Sequence, residues 1–533
     1  MPDASTGQTP LPRQSLLLAV IVAAAAALMA PQAGARPVPP TLGGAAGTGG
    51  VVEPVRAKDP KQEAAERELE RRRRAYAADP DDVDAARRLS SILDDVGDHR
   101  DRNGDLAGAR AAYEEALAID RRLYGASPGS RALARALSVG LSKVGDVRES
   151  QGDVAGARAL YEESLAIRRR IYDADRDDKG AARDYSFLLT KVGNTLRAQG
   201  DIAGALAFFE ESLRIDRQLS ALAPSDTSAL RDLSVSLSKV ARVREDRGDL
   251  TAARAAYEEA LTIDRRLYEA DRSDSRAARE YSVSLTNVGD IRDSQGDDAG
   301  ARAAYEESLV IDRRRYKADL SDLQAARDLS VSLNKVGRIR EGQRNPAEAR
   351  KLYEESLAIR RRLFAADRSN VQAERDITVN LNLIGALLEN QRDFAGARTL
   401  YEEGLAIRRR LYGLDRTNAS AGRDLSVSLG NVGDVREEQG DIAGALALHE
   451  ESLALDRWLW ETDRSNVKRV RDLGSSLRAV ARLGRRLGRE QDACRHLTEG
   501  RQILLPYRGQ PGVPKSLMDD LGRFETLLKG CPV

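Results

Sequence analysis

Apolar positions return along this chain in blocks that repeat every 48 residues. Within one block, Ala277, Tyr281, Leu285, Val288 and Ile291 step by about 3.6 residues, the spacing of a stripe on one helix face. The stripe follows a capping position, Ser273-Asp274 here and Ser369-Asn370 or Ser465-Asn466 elsewhere, and stops at a Gly-Asp pair. A second stripe then runs through Ala301, Tyr305, Leu309, Asp312 and Tyr316, with Asp297 in the N-cap position. The variant copy Asn345-Pro346 fits this placement, because proline is tolerated at the first helical position. Each block therefore predicts two helices of about 20 residues, roughly 30 Å long.

The clearest copy of the second helix is Gly152–Ile167, G-D-V-A-G-A-R-A-L-Y-E-E-S-L-A-I. Its Tyr161 has counterparts at Tyr113, Phe209, Tyr257, Tyr305, Tyr353 and Tyr401, and His449 closes the series. A lone helical pair cannot bury both stripes, so neighbouring pairs must stack. A glycine also returns inside the first helix, at Gly145, Gly193, Gly289, Gly337, Gly385 and Gly433, where it costs about 1 kcal/mol against alanine. Ala241 and Ala481 are its smallest replacements. The pattern predicts close helix–helix approach at this position.

Val144–Ile167 resembles the tetratricopeptide repeat. That family's glycine falls on Gly145, and its small, aromatic and small positions in the second helix fall on Ala157, Tyr161 and Ser164. The resemblance implies an all-α fold, a right-handed α-solenoid of stacked antiparallel helix pairs, covering residues 83–505 in about nine pairs. Two departures stand out. The family's usual period is shorter and its terminal proline is absent, so the longer helices resemble the kinesin-light-chain-like and bacterial variants.

The ends of the chain read differently. Residues 1–35 hold Arg13, an apolar run from Leu16 to Ala30 and the small residues Ala33-Gly34-Ala35, the layout of a cleaved secretory signal; an uncleaved membrane anchor is the alternative. Periplasmic or secreted localisation follows from the first, and a membrane-anchored, exported solenoid from the second. Residues 36–60 are rich in Pro, Gly, Ala and Val and read as a flexible linker. Residues 61–78 read as an orphan capping helix, and residues 506–533 as a loop and a final capping helix through Leu517, Leu521, Phe524 and Leu528. If the chain is exported, Cys494 and Cys531 can form a disulfide worth about 3–4 kcal/mol in the chain-entropy model. Otherwise one is a buried thiol and the other a free thiol near the tail.

Composition narrows the function classes. Charged residues make up 32% of the chain, yet the net charge is +1, which gives no steering toward nucleic acid or anionic lipid. No catalytic, cofactor or metal motif is legible, and the chain reads as no enzyme. His496 is two residues from Cys494, the wrong spacing for a dyad on one helix face. A hydrolase using Cys494 is the weakest of the readings.

Binding is the better prospect. The resemblance implies that the first helices line a concave groove, which places Asp146, Glu149, Asn194, Arg242, Glu245, Asp290, Asp293, Arg338, Glu341, Glu389, Asp434 and Glu437 as candidate peptide-binding residues. A stripe of carboxylates interrupted by Arg242 and Arg338 suits a basic or extended peptide. The alternative is that the carboxylates pair with Arg148, Arg244, Arg292, Arg340 and Arg436 and meet no ligand. Glu162-Glu163 and its copies read as a solvated outer face, and the ladder Arg183-Asp184, Arg231-Asp232, Arg279-Glu280, Arg327-Asp328, Arg375-Asp376 and Arg423-Asp424 as ion pairing between repeats. The expected activity is that of a non-catalytic scaffold for a protein or extended peptide. The competing expectation is an interaction or sensor subunit of a bacterial signalling or protease system whose effector lies on another chain.

Overall fold

The computed structural model describes residues 60–531 apart from Ser369, Ser465, Pro511 and Gly512. The expected signal segment and nearly all of the linker lie outside the described residues. Among the described residues the chain is helical with no strand, and no helix is long and apolar enough to cross a membrane. Two compact units divide it: one runs to Ala277 and includes Asp290–Asp297, the other comprises Ala278–Gly289 and the chain from Asp298.

In the first unit, α1 (Pro60–Ala78) precedes four hairpins: α2 (Val83–Arg102) with α3 (Leu106–Ala126), α4 (Arg131–Ser150) with α5 (Val154–Ala174), α6 (Lys179–Ala198) with α7 (Ile202–Leu222), and α8 (Thr227–Asp246) with α9 (Leu250–Ala270). Both units share α10 (Ser275–Ser294). The second unit continues with α11 (Asp298–Ala318), α12 (Leu323–Gly342), α13 (Pro346–Ala366), α14 (Val371–Asn390), α15 (Phe394–Leu414), α16 (Ala419–Glu438), α17 (Ile442–Thr462), α18 (Val467–Arg486) and α19 (Glu490–Leu504). A 3₁₀ turn at Leu505–Tyr507 leads to α20 (Lys515–Leu528). First helices contain 20 residues and second helices 21, until the last, α19, which contains 15.

The Gly-Asp turn explains why this period is kept so strictly. After α4, the Gly152 amide donates to the Glu149 carbonyl and the Asp153 amide to the Arg148 carbonyl, which closes the helix in a Schellman motif. The motif needs a left-handed residue, and Gly152 sits at φ 84°. Asp153 then caps α5 by accepting from the Gly156 amide at 2.9 Å. Two copies lack the glycine, and there Arg344 and Arg392 take the same conformation at φ 60° and 62°.

Inside each hairpin the aromatic of the second helix lies on the glycine of the first. A Cβ on Gly145 would stand 2.6 Å from the Tyr161 ring, and one on Gly289 2.5 Å from the Tyr305 ring. Tyr161, Tyr305 and Tyr353 are fully buried. Burying such a ring contributes about 1.5–3 kcal/mol, more than the glycine's helix penalty of about 1 kcal/mol.

Buried polar groups link helices within and between hairpins, at the face position the sequence marks with Asp312. Asp312 accepts from Ser282 at 2.8 Å and from Ser332 at 2.5 Å, and Asp456 from Ser426 at 2.7 Å and Ser476 at 2.5 Å. Burial pushes the Asp456 carboxyl up to about 6. Arg168 stands at the equivalent position in another repeat, donating to Ser138 at 2.7 Å and to Asp184 at 2.6 Å. Every such charge is buried against a partner, as the cost of desolvation demands.

In the second unit α20 closes the apolar end. Leu517, Leu521 and Phe524 pack with Leu473, Leu477 and Leu497, and Phe524 lies on Gly500. Cys494 and Cys531 are joined by a disulfide, beside Arg485, which donates toward Cys531 Sγ at 3.3 Å.

Candidate binding face on the first helices

All the candidate groove residues emerge half-buried on the first helices, so the helical spacing places them on a common type of face. Their neighbours are not the ones the sequence suggested. Tyr161 donates to Asp146 at 2.5 Å and to Glu149 at 3.0 Å, reaching across its own hairpin. Tyr257 likewise donates to Glu245 at 3.2 Å, Tyr353 to Glu341 at 3.2 Å and Tyr401 to Glu389 at 3.1 Å. Burial pushes the Glu245 and Glu341 carboxyls up, and the buried phenols are raised as well. Where His449 replaces the tyrosine, its Nε2 lies 3.4 Å from Asp434. Arg338 donates to the Tyr305 hydroxyl at 3.3 Å, Glu437 accepts from Arg486 at 2.9 Å and from Arg482, and Asp290 and Asp293 also have partners.

The arginines proposed as alternative partners turn elsewhere. Arg148 pairs with Glu114 at 3.3 Å, Arg244 with Glu210 at 3.0 Å, Arg292 with Glu258 at 2.7 Å and Arg436 with Glu402 at 3.0 Å, each reaching the second helix of the preceding hairpin. The paired glutamates are therefore more than a solvated face. In several copies the first of the pair meets such an arginine, and in others the second meets an arginine one repeat back: Arg121–Glu163, Arg217–Glu259 and Arg313–Glu355, each at 2.7 Å. The Arg-Asp ladder also pairs between repeats, as in Arg183–Asp232 at 2.6 Å and Arg423–Asp472 at 2.8 Å. These contacts are exposed or partly exposed, and each contributes about 0–1 kcal/mol.

A second row was missed by sequence reasoning. Val139, Phe187 and Val235 stand one repeat apart, exposed by 38%, 56% and 49%, one to two turns before Asp146, Asn194 and Arg242 on the same helices. The equivalent Val283, Val331, Val379 and Val427 of the second unit are half-buried. The signal was present as an apolar residue repeating off the core stripe. An apolar row on an otherwise charged face marks a contact surface.

Between the apolar row and the carboxylates lies a row of lysines. Lys143 donates to Asp98 and Lys191 to Asp146, at 2.6 and 2.7 Å, in each case reaching one repeat back. Lys191 also lies 5.4 Å from the centre of the Phe187 ring. Lys239 has no such carboxylate, because the residue in Asp146's place is Asn194. Burial, with the Arg242 and Arg197 charges adding to it, pushes the Lys239 ammonium down to about 8.

Chemistry of other kinds finds little here. Glu490, Cys494 and Cys531 are the group of potential metal ligands among the described residues, and with the sulfurs joined they offer no thiolate. His449 is a packed core residue on Gly433, and His496 sits between Arg457 and Glu499 rather than with Cys494.

No curated protein matches the chain. Among solved structures, it is similar to BtubC (BKLC) from P. vanneervenii at 20% identity and TM-score 0.38, over 49% of this chain and 91% of that one. The apo form of RapI is similar at 14% identity and TM-score 0.41, over 60% of this chain and 97% of that one. A signal transduction ATPase with a tetratricopeptide repeat sensor from Pyrococcus horikoshii is similar at 12% identity and TM-score 0.43, over 78% of this chain and 55% of that one. Models of the tetratricopeptide repeat match residues 136–218, 329–368 and 381–417, where the glycine, the aromatic and the hairpin turn fall as described. These stretches of the chain are tetratricopeptide repeats.

Proposed function

We propose that this protein is a non-catalytic interaction scaffold whose first helices bind an extended protein segment along their exposed face. The observation that carries this is the row Val139, Phe187 and Val235, exposed beside lysines and carboxylates and not used by the fold. A segment laid across successive first helices would bury that row and meet a polar group from each repeat. The carboxylate stripe of the second unit, including Glu341, Glu389, Asp434 and Glu437, belongs to the same reading as the part suited to basic side chains. A sensor or adaptor subunit serving an effector on another chain is the narrower form of this proposal.

Export through residues 1–35, to the periplasm or outside the cell, is part of the proposal, with a membrane-anchored chain as its variant. Mass spectrometry of the natural N-terminus tests it: a chain beginning near Arg36 supports a cleaved signal, and one retaining Leu16–Ala30 in a soluble, cytoplasmic fraction refutes export.

The binding reading is tested by replacing Val139, Phe187 and Val235 with serine and screening both chains against one array of extended peptides. Peptides retained by the native chain should be lost from the variant, with unchanged circular dichroism. Retention of the same peptides by the variant refutes the reading.

A further inference from the structure

Successive hairpins of the second unit are joined by short connections that run from a second helix into the next first helix, and three of them stand apart in charge. The stretches 313–323, 361–371 and 409–419 together hold ten cations against four carboxylates. In the first unit the equivalent 169–179, 217–227 and 265–275 are each neutral, and the basic 121–131 has no exposed large apolar side chain. The three charged connections do have such side chains: Leu320, Leu323, Val371 and Leu414 are exposed, the leucines by more than half. Leu320 stands where neighbouring repeats carry Arg272, Arg368 and Arg416. The overall charge of +1 conceals this band.

The connections form one edge. Arg362, near the end of α13, donates to the Tyr316 hydroxyl at 2.7 Å and to the Leu320 carbonyl at 3.0 Å, and Arg410 of α15 donates to Glu374 of α14 at 3.0 Å. Arg375 carries the contact on from α14 to Asp424 of α16 at 2.9 Å. Several cations are neutralised within the unit: Arg315 turns inward to Asp328, and Arg313, Arg361 and Arg409 pair with Glu355, Glu403 and Glu451. Arg314, Lys317, Arg368 and Arg416 are exposed and take part in no ion pair among the described residues. The carboxylates beside them are engaged in the connections themselves, Asp319, Asp322 and Asp415 accepting from the backbone amides of Ser321, Gln324 and Thr417 at 2.8, 2.8 and 2.9 Å.

We propose that this edge of the second unit docks on an anionic lipid surface, with Leu320, Leu323, Val371 and Leu414 entering the interfacial layer and the four unpaired cations meeting lipid phosphates. Apolar tips flanked by cations on long side chains suit a fluid surface that moulds around them, whereas a protein partner must supply a matching shape. The edge uses none of the residues of the first-helix face. It therefore goes beyond the binding reading given above and can fail without it.

The test places an environment-sensitive dye on the full chain through Ala318→Cys, beside Leu320, and in a second sample through Glu438→Cys, at the Gly-Asp end of α16. No free cysteine competes for the dye, because Cys494 and Cys531 are joined. With vesicles of phosphatidylcholine and phosphatidylglycerol the dye at 318 should shift to the blue and the dye at 438 should not. Pure phosphatidylcholine should require at least about tenfold more lipid for the same shift. Arg314→Glu, Lys317→Glu and Arg368→Glu together should raise the lipid requirement at least about tenfold, and Leu320→Ser with Leu323→Ser and Leu414→Ser should reduce the shift, both with unchanged circular dichroism. No shift at 318, or a shift that survives the glutamate variant, overturns the lipid edge. Equal shifts at 318 and 438 overturn it too, since they mean adsorption that does not choose this edge, as through Leu16–Ala30. Capture of polyglutamate with no response to vesicles assigns the edge to an acidic protein and overturns the lipid reading.

Discussion

The two sides of one first helix follow different rules. On α4, the inward side places Gly145 under Tyr161, and the same pairing returns at Gly193–Phe209, Gly289–Tyr305 and Gly337–Tyr353 with hardly a change. On the outward side, the position of Asp146 becomes asparagine, arginine, aspartate, arginine and alanine in the five repeats that follow. The inward side varies little, with alanine the largest residue at the glycine position, because a ring packed there leaves little room for a Cβ. The outward side is half-exposed in most repeats and carries acidic, basic and neutral residues, so its differences are free to encode recognition.

That contrast can be broken from the inside first. Tyr305→Ala should destabilise the second unit by about 3–5 kcal/mol through the cavity it leaves, measured by urea unfolding. Next comes the buried Asp456. Its carboxyl is held at about 6 by burial, above the unfolded value, so the proton is bound more tightly in the folded chain. Its contribution is present at low pH and is lost as pH rises from about 4 to about 6. Asp456→Asn should remove a pH-dependent loss of about 1–3 kcal/mol across that range, seen by comparing urea midpoints at its two ends.

Smaller effects sharpen the comparison. Gly145→Ala should destabilise by about 1–2 kcal/mol, because ring displacement outweighs a helix-propensity gain of about 1 kcal/mol. An absence of destabilisation would mean that Tyr161 accommodates the added methyl group. Arg344→Gly and Arg392→Gly act in the opposite direction, each raising stability by up to about 1 kcal/mol in thermal unfolding, since both arginines hold a left-handed φ. Phe187→Ser should change stability by less than about 0.5 kcal/mol, as expected of an exposed residue.

Much of the scaffold was legible because spacing alone encodes it. A period of 48, an aromatic opposite a glycine and a Gly-Asp turn are all properties of order along the chain. Arg344 and Arg392 show that the turn survives even where its glycine is lost. What spacing does not encode is which polar atoms meet. Asp312 was legible as a member of the buried face, but nothing in the spacing names Ser282 as the group it is buried against. The candidate carboxylates were placed on the correct helices, but their partners, the core tyrosine hydroxyls and the lysines one repeat back, depend on side-chain reach between helices. The row of Val139, Phe187 and Val235 escaped notice because an apolar residue off the main stripe resembles a slight widening of it.

Photo-cross-linking tests the central claim most directly, with a benzophenone placed at the middle residue of an extended peptide that the native chain retains and the adducts on the full chain located by mass spectrometry. The account predicts adducts on α4, α6 and α8 around Val139, Phe187 and Val235. Adducts concentrated on the second helices, around Arg158 or Arg217, would contradict it.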